Sequence, residues 1–190
     1  MNTDRKIHAL INRRKSIRAF SPKKITHSVI KDCLEAARWT PSSGNNQPWR
    51  YIIIDKKSPN RAKLEATLSK GNGWAKQAPV LVVVCAREED DPSYSDTDYF
   101  GYDTGMSIMS FVLEAQHQGL KCHQMGGFDH EAAKKVLSIP KEYSVWAITA
   151  VGYPGKVSSL DERTQAKEKQ KRVRKLITEV AFRDKFGKTY

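Results

Sequence analysis

The stretch from Pro79 to Ala86 reads PVLVVVCA, a nearly continuous run dominated by β-branched residues. A strand with one wet face alternates apolar and polar residues, whereas an unbroken run marks a strand buried on both faces. A chain built around such a strand needs cover on each side of it, which means a layered domain. The same run, from Val80 to Ala86, is the longest apolar segment and is far too short to span a bilayer. Nothing at the N-terminus MNTDRKIHALINRRK has the apolar centre of a leader peptide.

The rest of the chain supplies that cover in pieces. Ile7, Leu10 and Ile11 predict a helix from about Asp4 that turns an apolar stripe to the core and delivers Arg14 at its end. Val29, Ile30, Cys33, Leu34 and Ala37 predict a second helix, with Thr26 as its N-cap. Thr40 to Pro48 is a loop by composition, Trp49 to Ile54 a strand, and Pro59 to Leu68 a short helix. An exposed connection is expected from Arg87 to Ser95. A long helix then follows over roughly Thr97 to Gln118, with Met106, Met109, Ser110 and Leu113 inward and Gly119 as its stop. Leu120 to Met125 and Ser144 to Gly152 read as strands, with a helix over Glu131 to Leu137 between them. The tail from Leu160 to Tyr190 is charged and helix-forming, yet Val173, Leu176, Ile177, Val180 and Phe182 require cover. With 190 residues and no internal repeat, one core is expected.

Lys and Arg number 33 against 21 Asp and Glu, for a net charge of +12. The excess sits in two short clusters. Arg13, Arg14, Lys15 and Arg18 form one, and Lys167, Lys169, Lys171, Arg172, Arg174 and Lys175 the other. Two such clusters can meet around one phosphate, whereas a nucleic-acid tract needs a long continuous basic face, and no base-reading motif accompanies them. Cys33, Cys85 and Cys122 are odd in number and widely spaced, as core thiols of a reducing compartment are, so cytoplasm is the expected location. Asp96, Asp98 and Asp103 lack the glycine and spacing of a calcium loop and read as an acidic helix start. His123 and His130 read as structural or surface histidines.

Two segments carry candidate chemistry. Arg14-Lys15-Ser16-Ile17-Arg18 places three cations and a hydroxyl at a helix-to-loop transition, where guanidinium forks can surround a phosphate; a solvated charged turn has the same composition. Pro41 to Trp49 offers Ser42, Ser43, Asn45 and Gln47 between prolines, the donors and acceptors that the edge of a heteroaromatic ring requires; a plain polar turn is the alternative.

Arg14 to Phe20 followed by Pro41-Ser42-Ser43-Gly44-Asn45-Asn46-Gln47-Pro48-Trp49 resembles the opening signature of the flavin-dependent nitroreductase family. The resemblance continues in order through Ala78-Pro79, Asp103-Thr104-Gly105-Met106, Gly126-Gly127-Phe128 and Gly152-Tyr153-Pro154. It implies an α+β fold, a three-layer α/β/α sandwich with a mixed central sheet, formed by residues 1–160, with 161–190 as an arm packed on a second subunit of a homodimer. It implies FMN as cofactor. Arg14, Lys15 and Ser16 match the positions that hold its phosphate and ribityl chain, and Arg18 the cation beside N1 and the C2 carbonyl. Pro41, Ser42, Ser43, Asn45 and Gln47 match the loop lining the ring, reached partly from the other subunit. Gly126 and Gly127 match backbone at the N5 and O4 edge, and Arg172 and Arg174 the basic pair completing the phosphate site. Gly126 stands where many larger relatives carry Glu, and Lys70 to Gln77 offers no clear match to flavin-contacting residues of some relatives.

The activity so implied is ping-pong transfer of electrons from NAD(P)H through flavin N5 to nitroaromatic, quinone or related acceptors. It needs no nucleophile or base from the protein and no metal, because the cofactor carries the redox chemistry. Enoate reduction and dehalogenation belong to the same cofactor class. A basic flavin- or nucleic-acid-binding protein without turnover is the reading from a different class.

Overall fold

In the computed structural model, residues 7–91 and 97–190 are described. Four strands form one sheet: β1 (Trp49–Asp55), β2 (Val80–Ala86), β3 (Lys121–Met125) and β4 (Ser144–Gly152), in the order β1-β2-β4-β3. Every residue of β2 is buried, as its unbroken apolar run requires. Leu81, Val83 and Cys85 point into one core and Val80 and Val82 into the other, so alternate residues of one strand feed two packing layers.

The second of those layers is made by α2 (His27–Arg38) and α4 (Phe100–His117). Thr26 caps α2 by accepting a hydrogen bond from the Val29 amide at 3.4 Å, and Ile30, Cys33 and Ala37 recur on the buried face. The opposite layer holds α3 (Arg61–Ala66), α5 (His130–Leu137) and a 3-10 segment over Lys70–Gln77; Leu64, Trp74, Ala75 and Ala133 are their core residues. The result is an α+β three-layer sandwich. Its four strands are antiparallel throughout, where a mixed sheet was expected. The apolar pattern of a strand specifies burial but carries no mark of its neighbour's direction.

Other expectations shift in instructive ways. The first helix, α1 (Ala9–Arg13), has no buried residue, and Ile7 and Ile11 are exposed instead of facing the core; Asp4 lies outside the described residues. The buried face of α4 is Asp103, Thr104, Ser107, Ile108, Phe111, Val112 and Ala115, displaced from the expected stripe, whose members Met106, Met109, Ser110 and Leu113 are half-buried. Small and polar residues can take the inner face because Ser107 accepts no solvent: its hydroxyl donates to the Ala37 carbonyl and pairs with Tyr51. The connection after β2 is not uniformly exposed, since Asp91 is fully buried; residues 92–96 lie outside the described set. Gly119 does end α4, with φ of 79°.

The tail is helical only in α6 (Glu162–Lys169), capped by Asp161 through the Thr164 amide at 3.0 Å. Beyond it come a short 3-10 turn over Ile177–Glu179 and a second turn closed by a bridge between Phe182 and Thr189, and Val173, Leu176, Ile177, Val180, Phe186 and Tyr190 are exposed. None of the described helices is long and apolar enough to cross a membrane. The three cysteines are free and buried, and burial raises the Cys33 thiol to about 12 and Cys85 to about 11.

Candidate functional site

The segment after α1 is held across the end of the sheet by backbone. Ser21 N donates to the Tyr153 carbonyl and Gly155 N to the Ala19 carbonyl, each at 2.9 Å, and Phe20 bridges Pro154. A Cβ on Gly155 would lie 2.5 Å from the Phe20 carbonyl carbon, so only glycine permits this approach. His123 on β3 completes the anchor: its Nδ1 bonds the Ile17 carbonyl at 2.9 Å, and its ring lies 4.4 Å from that of Trp74. Burial lowers the His123 pKa below 6.5, so the ring is a neutral structural donor, as expected. His130 is likewise structural, stacked 4.0 Å from Phe128 and bonded to the Val145 carbonyl.

Along this segment the two basic clusters meet. Arg172 donates from Nη1 to the Arg14 carbonyl and from Nη2 to the Asn12 carbonyl, both at 2.8 Å. Arg14 donates to the Ser16 hydroxyl at 3.2 Å. Its pKa is lowered, first by burial and then by the charges of Arg174 and Arg172, which places all three guanidinium groups within one electrostatic neighbourhood. Lys121 adds a fourth cation, its own pKa lowered by burial and by Arg14 and Arg13. Such a set repels itself until an anion joins it. A phosphate offers the matching charge and acceptors, and guanidinium forks with a serine hydroxyl are the donors suited to it.

Lys15 and Arg18 are engaged differently. Lys15 Nζ donates to the Glu168 carbonyl at 3.0 Å. The Glu168 carboxylate accepts from the Arg18 amide at 2.9 Å and lies 3.5 Å from its guanidinium. Glu168 gave no sign of this in the sequence, because an acid in a lysine-rich stretch has the pattern of a solvated helix face.

Gly126 and Gly127 follow β3 directly, and their exposed backbone adjoins the 3-10 segment. The Gly127 carbonyl accepts from the Ser69 amide at 3.0 Å and from Asn72 Nδ2 at 2.8 Å. A Cβ on Gly127 would fall 2.9 Å from both Asn72 Nδ2 and Ser69 Oγ. Asn72 therefore joins the site, although its segment showed no clear match by sequence. Between this segment and α6 opens a cleft of about 280 Å³ lined by Lys70, Gly71, Trp74, Arg163, Thr164 and Lys167.

Pro41, Ser42, Ser43, Asn45 and Gln47 form a separate corner. Ser42 Oγ accepts from the Gln47 amide at 3.0 Å, and Gln47 Nε2 donates to Asn45 Oδ1 at 3.3 Å. Gly44, Asn45 and Gln47 all have φ between 50° and 58°, a conformation that costs free energy in non-glycine residues and persists only where contacts fix it. Two acids do so. Asp103 accepts from the Ser43 amide at 2.6 Å, and Asp91 accepts from Asn46 Nδ2 at 2.9 Å. Burial, then the Asp91 charge, raises the Asp103 pKa, while the Ser43 bond lowers it.

The corner stands far from the basic cluster. His123, beside Ile17, is in register through Ala150 and Leu81 with Ile54, whereas the loop enters the sheet at Trp49 on the opposite edge. Three strand spacings are roughly 14 Å, and the five residue steps from Trp49 to Ile54 add roughly 17 Å along the strands. One chain thus brings Arg14, Lys15, Ser16, Arg18, Arg172 and Arg174 together near the start of β3, sets Gly126 and Gly127 beyond its end, and keeps the loop at the opposite edge of the sheet.

Comparison with known proteins agrees with this architecture. The family model described as the nitroreductase family matches residues 11–72 and 59–153. An uncharacterized 15.4 kDa protein of Mycolicibacterium smegmatis is 32% identical over 124 residues, 65% of this chain and 82% of that protein. A protein of Thermus thermophilus named NADH dehydrogenase is 27% identical over 173 residues, 75% of this chain and 83% of its own. A crystal structure described as an oxidoreductase containing FMN superposes with a TM-score of 0.87 at 30% identity, covering 98% of this chain and 96% of that one. The chain belongs to the nitroreductase family.

Proposed function

We propose that this protein is an FMN-dependent NAD(P)H oxidoreductase that passes electrons to small unsaturated acceptors such as nitroaromatics and quinones, and that its working unit is a cytoplasmic homodimer. The observation that carries the cofactor is the convergence of Arg14, Arg172 and Arg174 with Ser16, a set whose charge and donors suit a phosphate. The oxidoreductase containing FMN, alike over nearly the whole chain, supports the same group.

FMN, when bound, supplies the hydride and electron transfer. The chain supplies position and charge. Arg14, Ser16, Arg172 and Arg174 hold the phosphate, and Lys15, tied to the end of α6, borders it. The exposed peptide groups of Gly126 and Gly127 serve the ring edge, held in place by Asn72 and Ser69. Arg18 would supply a fixed cation that favours negative charge on the ring better than mobile water does.

The loop from Pro41 to Gln47 then belongs to the site of a second copy, because its own chain holds it roughly 20 Å from the phosphate cluster. Exposed Trp39 and Tyr102 flank that loop, and the tail beyond Lys169 displays further apolar side chains, which a second copy would cover. Residues 161–190 form the arm in this reading, α6 docking on its own chain through Glu168 and the remainder on the partner. Buried free thiols support a reducing compartment.

Bleaching of bound yellow flavin by NADH or NADPH, followed by reoxidation with a nitroaromatic or quinone, is the expected result. Failure of both nicotinamides to reduce it would overturn the reading.

A further inference from the structure

Glu168 is the buried residue of α6, only 5% exposed. The helix has the sequence ERTQAKEK and no apolar stripe, so it docks by an acid where most helices dock by hydrocarbon. A buried carboxylate costs several kcal/mol unless it is paired and hydrogen-bonded. Glu168 meets that demand almost entirely from one residue, through the Arg18 amide at 2.9 Å and its guanidinium at 3.5 Å. The other groups facing it add little compensating charge to the carboxylate: Lys15 bonds its backbone carbonyl, and His123 is neutral at pH 7.

We infer that Glu168 is a positioning residue for Arg18, fixing its guanidinium and offsetting part of its charge, so that the pair sets the reduction potential of the bound flavin. This rests on the FMN reading above. A lone cation attracts charge over a long range, whereas a cation backed by an anion acts as a dipole whose field falls off faster. With the carboxylate neutralised, Arg18 stabilises the charge gained on reduction more strongly. Glutamine keeps the shape and still accepts from the Arg18 amide, so Glu168→Gln isolates the charge.

The test is a set of FMN titrations followed by fluorescence, with midpoint potentials from spectroelectrochemistry, on wild type, Glu168→Gln, Glu168→Asp, Arg18→Ala and the Arg18→Ala/Glu168→Gln double variant. Glu168→Gln should favour reduced over oxidised flavin about tenfold more than wild type does, a rise of about 30 mV for a two-electron couple. Glu168→Asp, which keeps the charge, should stay within about threefold of wild type. In the Arg18→Ala background the substitution should move the potential clearly less, because only the carboxylate's own field remains once there is no guanidinium to position. An unmoved or lowered potential in Glu168→Gln overturns the inference, as does a rise of undiminished size without Arg18 or a flavin-free protein with native circular dichroism. If Glu168→Gln does not fold, Arg18→Lys decides, because it changes the geometry of the pair; a potential unchanged from wild type again overturns it. A wild-type protein that binds no FMN removes the functional reading itself.

Discussion

Arg172 Nη1 donates to the carbonyl oxygen of Arg14 at 2.8 Å, joining residues 158 positions apart in the chain. The bond uses one edge of the Arg172 fork on backbone and brings its charge against Arg14, where Arg174 adds a third. Replacing Arg14 or Arg174 by alanine removes a charge-assisted contact worth roughly 1.5–3 kcal/mol, or about 10- to 150-fold in FMN affinity. Flavin fluorescence titration measures it. The apoprotein should also gain thermal stability from inorganic phosphate beyond that from chloride at equal ionic strength, and Arg14→Ala should abolish the difference.

Asp103 makes the loop corner pH-dependent. Burial and the neighbouring acid raise the folded-state pKa of Asp103 above its ordinary value near 3.8, so folding favours the protonated form. Its stabilising contribution is therefore full below that ordinary value and is lost as pH rises through the raised one; at neutral pH the ionised acid is a cost. Asparagine retains an acceptor for the Ser43 amide and removes the repulsion. Asp103→Asn should raise the melting temperature by roughly 2–4 °C at pH 7, about 1 kcal/mol for a chain of this size. The gain should shrink at pH 4, and thermal melts at the two pH values check the sign.

Gly155→Ala tests the anchor of the phosphate segment. Its Cβ would meet the Phe20 backbone at 2.5–2.6 Å and the Ser21 amide at 2.8 Å, and backbone atoms cannot swing aside as a side-chain tip can. A loss of about 1–3 kcal/mol is expected from such overpacking. Chemical denaturation should show it, with weakened flavin retention because Ile17 to Ser21 positions Arg14 and Arg18. Gly127→Ala meets only side-chain tips and should cost less stability while displacing Asn72.

Separation of the loop from the basic cluster predicts a dimer. Sedimentation equilibrium of the flavin-loaded protein at low micromolar concentration should give twice the chain mass. Deletion of residues 171–190 removes Arg172, Arg174 and the exposed apolar tail together, and should yield a monomer that releases FMN. A folded monomer retaining stoichiometric flavin would sink the two-copy site.

Much of this molecule was written locally. The β-branched run of β2 demanded burial on both faces, Thr26 and Gly119 bounded helices through capping and positive φ, and the ordered motifs from Arg14 to Pro154 marked the family. Those features depend on neighbours a few residues away, or on residue types with few alternative uses. The antiparallel strand order, the inner face of α4, the exposed path beyond Lys169 and the burial of Asp91 and Glu168 depended on tertiary structure. A charged residue can be buried only where a partner waits, and Glu168 finds Arg18 from 150 positions away. Sequence thus determined the four strands, the helices that pack on them and the two cation clusters. Only the packing of distant segments decided which acid faces which base, because pair energies depend on distance in space and not along the chain.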